Sequence, residues 1–510
     1  MRMTSLYVMA AALSLTVLPV GATAAGTETP APAADSGDIA ALREIDTDRL
    51  LSDPNYAAGM VEVIDRVAST VQDSERRYAL QSFKALALLT SNRIPEAEAI
   101  AKEIVGTEST AAAYGHLVLI TAAMVRENRL GLLEAIEAAS LDPHGREAAL
   151  QVLDEPFVRS LRWWLAEQKN EAGGFRLVEA LVRMGWTSQD DPTAIEWYRL
   201  QALDGRLKRG DLASAREMLG AIEHPGPVIR ILITRKYDGL FAPDADRAAL
   251  FKQAIDLESA RSGRDLNQNP DDPHVLLRRL QHLSKIGGHE QILTLTQPYV
   301  DEWKSVTEAG EPAFWSIDAR ADALARLGRH DDAVAILKKL VALDFNRHPD
   351  LISMAINLGG YLNAAGRHKE ALNHATRLAA SAGNHASPYG HMWIWETATC
   401  ALAAQGKLQE AAPWLAKLQA GRTDNLSALK RAFLCLDRIE DAEAVAIEQL
   451  AGDDASDALR EFQNVREPAV PRSQYDQLIF DRWEAVVARP AVKAAVEKVG
   501  RILDLPVESL

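Results

Sequence analysis

The sequence predicts an all-α fold: a solenoid of helix–turn–helix hairpins. Three observations carry that reading. A six-residue phrase recurs as Gly328-Arg329-His330-Asp331-Asp332-Ala333, Gly366-Arg367-His368-Lys369-Glu370-Ala371 and Gly406-Lys407-Leu408-Gln409-Glu410-Ala411. Its alanines stand 38 and 40 residues apart, and self-similarity at such a period marks a stacked array. Apolar residues at helical spacing precede each phrase (Leu324 and Leu327, Leu358 and Leu362, Leu402) and follow it (Ile336, Leu337 and Leu340; Leu372 and Leu378; Leu415 and Leu418). Nothing alternates with period two over a useful length, so no sheet is expected.

Each residue type in the phrase has a physical reason. Glycine closes the first helix because it accepts the left-handed conformation at little steric cost. The acid before the alanine falls in the first turn of the second helix, where the dipole favours negative charge. The alanines Ala333, Ala371 and Ala411 let two helix backbones approach closely, as a larger side chain would not. In this small-residue framework the chain resembles the tetratricopeptide repeat. That resemblance implies a right-handed superhelix whose first helices line a concave groove for a peptide or partner helix. The family's proline at the end of helix two is absent, with Phe345 about where it would stand in the first repeat. The period also exceeds the family's roughly 34 residues, which predicts longer helices or loops.

With 510 residues, 47% of them hydrophobic and only 6% aromatic, the chain suits an alanine- and leucine-rich helical array. The formal charge of −15 argues against a nucleic-acid binder and against a polybasic membrane-surface protein. The start reads as a secretory signal over 1–24: Arg2, an apolar core over 6–20, and the small-residue pattern Ala22-Thr23-Ala24. A periplasmic or secreted location is therefore expected, with no stable membrane insertion after cleavage. Residues 25–38, rich in Pro, Ala and Thr, read as a disordered spacer. Cys400 and Cys435 are 35 residues apart, about one repeat. Small buried residues on neighbouring helices are the simpler reading, although an oxidising compartment permits a disulfide.

Degenerate repeats are expected over 39–225, better ones over 226–452 with the best at 314–418, and capping helices over 453–510. Helical pattern begins near Ile39, and Asp53-Pro54 restarts it. The first hairpin turns at Asn92-Arg93-Ile94, a weaker one at Asn128-Arg129-Leu130, and 157–182 reads as a helix pair broken at Gly173-Gly174. The phrase returns as Gly210-Asp211-Leu212-Ala213-Ser214-Ala215. Helices are expected over 229–240 and 245–260, a hairpin turning at Gly287-Gly288, and a last copy at Asp437-Arg438-Ile439-Glu440-Asp441-Ala442. The C-terminal pair is expected over 475–487 and 491–503. About nine to eleven hairpins result.

Catalytic signatures are missing. The sequence has no His-Glu-x-x-His, no Gly-x-Ser-x-Gly, no phosphate-binding glycine loop and no Cys-x-x-Cys. The pairs His368/His374 and His385/His391 are six apart, which is not the i,i+4 spacing of a helical zinc pair. No enzyme, metal or cofactor is expected. Setting the best repeats in register puts Trp315 and Trp393 at one early position of their first helices, with Asp318 and Glu396 one turn later. Asp322, Arg326, Asn357 and Asn363 share that inner face. Aromatic anchors beside polar groups suit a recognition groove; packing between hairpins is the alternative, since Trp393 and Trp395 cannot both face one groove. The acids Asp318, Asp322 and Glu396 predict a neutral or basic segment as partner. The expected function is a non-catalytic protein–protein interaction scaffold of the cell envelope. The alternatives are a fixed subunit of an envelope-biogenesis or secretion machine, and a binder of a glycan or cell-wall polymer.

Overall fold

The structure is a computed structural model that describes residues 45–188, 193–343, 347–453 and 455–510. The signal pattern, the spacer, the pattern near Ile39 and Phe345 lie outside these residues. Two compact units divide between Ala221 and Ile222. The first contains α1 (Thr47–Ser52), α2 (Pro54–Ala68), α3 (Ser74–Thr90), α4 (Ile94–Val105), α5 (Ala112–Val125), α6 (Arg129–Leu141), α7 (Pro143–Leu150), α8 (Glu155–Glu167), α9 (Glu171–Met184), α10 (Ala194–Lys208) and α11 (Leu212–Gly220).

The second unit opens with α12 (Pro225–Ile233), a 3-10 turn (Arg235–Leu240), α13 (Arg247–Gln268), α14 (Pro273–Ile286), α15 (His289–Leu295), α16 (Gln297–Asp301) and α17 (Trp303–Ala309). The best repeats follow as α18 (Glu311–Arg326), α19 (His330–Leu340), α20 (Leu351–Ala364), α21 (His368–Ser381), α22 (Pro388–Ala404), α23 (Leu408–Ala420), α24 (Leu426–Cys435) and α25 (Ile439–Ala451). The unit ends with α26 (Ala455–Ala458), a 3-10 turn (Leu459–Phe462), α27 (Gln474–Val487) and α28 (Pro490–Val499). Among the described residues the only β pairings are two isolated bridges.

One turn geometry recurs nine times between the two helices of a pair among the described residues, and Gly185 closes α9 in the same way before a longer connection. Gly210, Gly287, Gly328, Gly366 and Gly406 sit at positive φ, and Asn92, Glu127, Lys169 and Asp437 occupy the same slot in degenerate copies. At every one of these turns the next residue donates its N–H back into the last turn of the first helix, as Arg329 does to Leu324 O (2.8 Å) and Lys407 to Leu402 O (2.9 Å). This is the Schellman closure that satisfies an orphan carbonyl. In five copies the residue after that slot is basic and reaches three residues forward to an acid: Arg93–Glu96, Arg329–Asp332, Arg367–Glu370, Lys407–Glu410 and Arg438–Asp441. Such exposed pairs contribute about 0–1 kcal/mol each; the buried alanine does more. Ala97, Ala215, Ala333, Ala371, Ala411 and Ala442 are at most 1% exposed.

Three local expectations change. The break between α8 and α9 falls at 168–170 rather than at Gly173-Gly174: Lys169 takes the left-handed slot, and Asn170 Oδ1 caps the new helix by accepting from Gly173 N (2.9 Å). The expected helix over 229–240 starts instead at Pro225, where a missing N–H costs nothing, and passes into the 3-10 turn after Ile233. The last helix ends at Val499 rather than 503, because Gly500 turns the chain into an extended tail.

That tail folds back on the beginning of its unit, so 453–510 does more than cap the array. Arg501 N donates to Ile233 O (2.9 Å), and its guanidinium grips Asp238 at 2.5 and 2.6 Å. Glu508 N donates to Lys285 O (2.8 Å) while its carboxylate meets His289 Nε2 (2.8 Å). Ile229, Leu232, Ile233, Phe251 and Ile255 thereby share one core with Leu459, Phe462, Val492, Val496, Leu505 and Val507. Gly500 is required here, since a Cβ would lie 2.1 Å from Ile233 O.

Cys400 and Cys435 form a disulfide with Cα atoms 5.1 Å apart, which corrects the reading of two independent buried thiols. The reason is geometric. One-repeat spacing puts them on α22 and α24, which pack against each other directly, with sulfurs facing. Closing a 35-residue interval constrains the unfolded chain by about 3–4 kcal/mol in the loop-entropy picture. The double variant Cys400→Ser/Cys435→Ser is expected to lose stability of that order in denaturant titration under oxidising conditions. Wild type in dithiothreitol should show the same loss; equal midpoints with and without reductant would contradict the bond.

Candidate functional site

The first helices of four successive hairpins, α18, α20, α22 and α24, form one wall of a concave cavity of about 970 Å³ in the second unit. Helical spacing selects the lining. Asp322 and Arg326 come from α18, Asn357, Gly360, Tyr361 and Ala364 from α20, Tyr389, Trp393 and Glu396 from α22, and Ser427, Lys430, Arg431 and Leu434 from α24. Residues three and four apart on a helix share a face. The opposite wall was not foreseen. It consists of Glu461, Pro468, Val470, Pro471 and Arg472, and the α27 residues Tyr475, Asp476, Ile479, Phe480 and Trp483.

Of the eight sequence-predicted groove residues, six meet here: Asp322, Arg326, Asn357, Asn363, Trp393 and Glu396. Trp315 and Asp318 do not line the cavity. Trp315 packs against the core of its own hairpins and donates Nε1–H to Glu311 Oε1 (3.3 Å). Asn363 is buried, donates to Thr397 O (3.1 Å) and acts as a strut between hairpins. Trp393 and Trp395 part as helix geometry demands: Trp393 faces the cavity, and Trp395 packs beside His391 with Lys417 over its ring.

Asp318 lies behind the wall, where Asn357 Nδ2 donates to its Oδ1 (3.2 Å). Burial pushes its carboxyl up to about 6; that hydrogen bond opposes the shift, and the charge of Asp322 adds to it. Burial likewise drives the Tyr361 phenol well up, with Asp318 contributing. The folded pKa of Asp318 thus exceeds its ordinary 3.8. Its stabilising contribution is complete below about pH 4 and is lost as pH rises through about 6. Asp318→Asn is expected to flatten the unfolding free energy across that window; an unchanged slope would contradict the assignment.

The cavity is not acidic, which corrects the expected charge of the groove. Asp322, Glu396, Glu461 and Asp476 are matched by Arg326, Lys430, Arg431 and Arg472. Arg326 lies 3.6 Å from Asp322, Lys430 pairs with Glu461 (2.5 Å) beneath the Trp483 ring, and Arg431 Nε lies 3.1 Å from Glu396 Oε1. Burial raises the Glu396 carboxyl against the pull of Arg431, and raises the Tyr475 phenol beside it. Cys400 Sγ is 3.2 Å from Glu396 Oε1, but a disulfide sulfur carries no proton and is not a free thiolate ligand. The three residues that come within ligand reach of one another, Glu396, Cys400 and Cys435, are therefore committed to a covalent and ionic strut.

Reading the sequence missed Tyr389, Lys430 and Arg431. Tyr389 was accessible as the residue one turn before Trp393, and it is 54% exposed. The α24 pair sits in a copy whose phrase has lost its glycine to Asp437. The α27 wall has no signal in the repeat at all.

These hairpins define the class: the chain is a divergent helical-repeat protein of tetratricopeptide-like hairpins. No protein-family model and no curated protein matches it. Similar solved structures include a Rap protein complexed with competence and sporulation factor (11% identity, 88% of this chain and 98% of that one, TM-score 0.27). The APC/C hetero-tetramer Cut9–Hcn1 (11%, 90% and 98%, TM-score 0.22) and Naa15/Naa10 bound to HypK-THB (14%, 88% and 72%, TM-score 0.20) are others. At such TM-scores nothing here rests on these likenesses, and the class rests on the nine turns themselves.

Proposed function

We propose that the protein is a non-catalytic adaptor of the cell envelope that holds a partner protein or peptide in the cavity of its second unit. The observation that carries this is the cavity wall: among four consecutive first helices, α22 presents exposed Tyr389 and half-buried Trp393 beside charges of both signs. Aromatic anchors flanked by paired polar groups are the features of a protein recognition surface. Balanced charge favours a segment of mixed or neutral character over a strongly basic one. The catalytic motifs missing from the sequence and the secretory pattern of residues 1–24 support the rest of the reading. Among the described residues no helix is long and apolar enough to cross a membrane.

The test is in-cell photocrosslinking with a benzophenone amino acid at Tyr389, and at Leu408, an exposed residue at the start of α23 outside the cavity lining, as control. Crosslinks from position 389 to one polypeptide, missing at 408, are expected. Equal crosslinking at both, or no polypeptide at 389, would overturn the adaptor reading.

A further inference from the structure

Asn357 stands between the cavity and a carboxyl group. It lines the cavity from α20, and its Nδ2 donates behind the wall to Asp318 Oδ1 on α18 (3.2 Å). Its Oδ1 makes no hydrogen bond among the described residues. An ionised carboxylate only accepts hydrogen bonds, so it can hold the amide only by the NH2 group. The amide oxygen is thereby left for whatever enters the cavity. Protonation reverses this. A carboxylic acid must place its own O–H, and a buried donor is costly to leave unpaired. Asn357 is the one hydrogen-bond partner that Asp318 has among the described residues, so the amide oxygen is drawn back from the cavity to accept that proton.

The surroundings bring this exchange into the ordinary pH range. Burial raises the Asp318 carboxyl to about 6, the Asn357 hydrogen bond opposes the rise, and the charge of Asp322 on the same helix adds to it. The Tyr361 phenol faces both acids from α20 and stays neutral, because burial drives it well up; Arg326 of α18 acts on it in the opposite sense. From α14 comes Ser284, which donates to Asp322 Oδ2 (3.0 Å) and does not titrate. No group of α15, α17 or α19, which also pack on α18, shifts Asp318.

We propose that Asp318 works the cavity wall through Asn357 as a proton-dependent switch. With the carboxylate ionised, the wall offers an amide oxygen to an N–H group of the bound partner; with the acid protonated, that oxygen is withdrawn and the partner is released. This deepens the adaptor reading and rests on it. Asp318 is a positioning residue, since it acts through Asn357 and does not touch the ligand. The coupling is reciprocal: a partner that uses the amide oxygen favours the ionised carboxylate, so its binding lowers the pKa of Asp318.

The experiment uses the full chain and two readouts. The first is the NMR signal of the Asn357 side-chain amide in protein isotope-labelled at asparagine, identified by its loss in Asn357→Ala. It is expected to shift with a midpoint near pH 6 in wild type and to stay unchanged in Asp318→Asn. The second is photocrosslinking from position 389 in envelope extracts. Its yield is expected to fall about three- to tenfold from about pH 7.5 to about pH 5. Asp318→Asn and Asn357→Ala should each flatten that dependence. Should Asp318→Asn lose its helical circular dichroism, Asn357→Ala alone supplies the comparison. An Asn357 amide that does not titrate overturns the proposal, and so does a pH dependence of capture that survives in a folded variant; both leave the adaptor reading standing. No polypeptide at 389 removes the adaptor reading, and the proposed release with it.

Discussion

Arginine in place of Ala371 is expected to destabilise the second unit by about 3–5 kcal/mol, enough to unfold many domains. Ala371 has no exposed surface and belongs to a core shared with Leu358, Leu362, Leu337 and Ala401. An arginine there has two costs. Its volume drives α20 and α21 apart, and its charge enters an apolar environment without a partner. The contrast is Ala325→Arg. Ala325 is half-buried on the cavity wall, where a long side chain can carry its charge to water, so a loss below about 1 kcal/mol is expected. Denaturant titration followed by tryptophan fluorescence compares the two. Equal, small losses would mean that the hairpins are not in the register described.

Removing residues 501–510 is expected to cost a similar amount by a different route. Val507 and Leu505 are buried at 0% and 4% exposure, and each such side chain contributes about 1.5–3 kcal/mol by its burial. The grip of Arg501 on Asp238 and the contact of Glu508 with His289 go with them. The loss should be distributed unevenly. The Arg466–Val507 hydrogen bond holds one end of the segment 467–472 in the cavity's far wall, so amide exchange should rise first over 463–473 and over α12 and α14. The hairpin α20–α21, whose buried residues belong to other cores, should keep its protection longest. A truncated chain with an unchanged midpoint and exchange pattern would show that the tail merely lies on the surface.

Much of the architecture was legible because its determinants are local. A left-handed residue, a basic cap and an acid three residues on, followed by a small residue, can be read in a six-residue window, and each acts within one turn of helix. Where another residue replaced the glycine, as at Lys169 or Glu127, the local signal faded and the turn was misplaced or blurred. The groove was half legible. Register between copies brought Trp393, Glu396, Asn357, Asp322 and Arg326 to one wall, because equivalent positions on stacked helices share a face. Charge was misjudged because a list of acids on first helices does not show that Arg431 and Lys430, one repeat on, neutralise two carboxylates.

The sequence by itself therefore determined most of the helices, eight of the nine turns and part of the inner face of the best repeats, all of which follow from interactions within one hairpin or between adjacent ones. Three features were decided only by the tertiary structure: the sulfur–sulfur bond between α22 and α24, the return of 501–510 to α12 and α14, and the placing of 467–472 in the cavity's far wall. The first depends on how two adjacent hairpins face each other, and the other two join groups whose approach depends on every hairpin between them. Arg501 and Asp238 are 263 residues apart, and no local pattern records a distance that every helix between them helps to set.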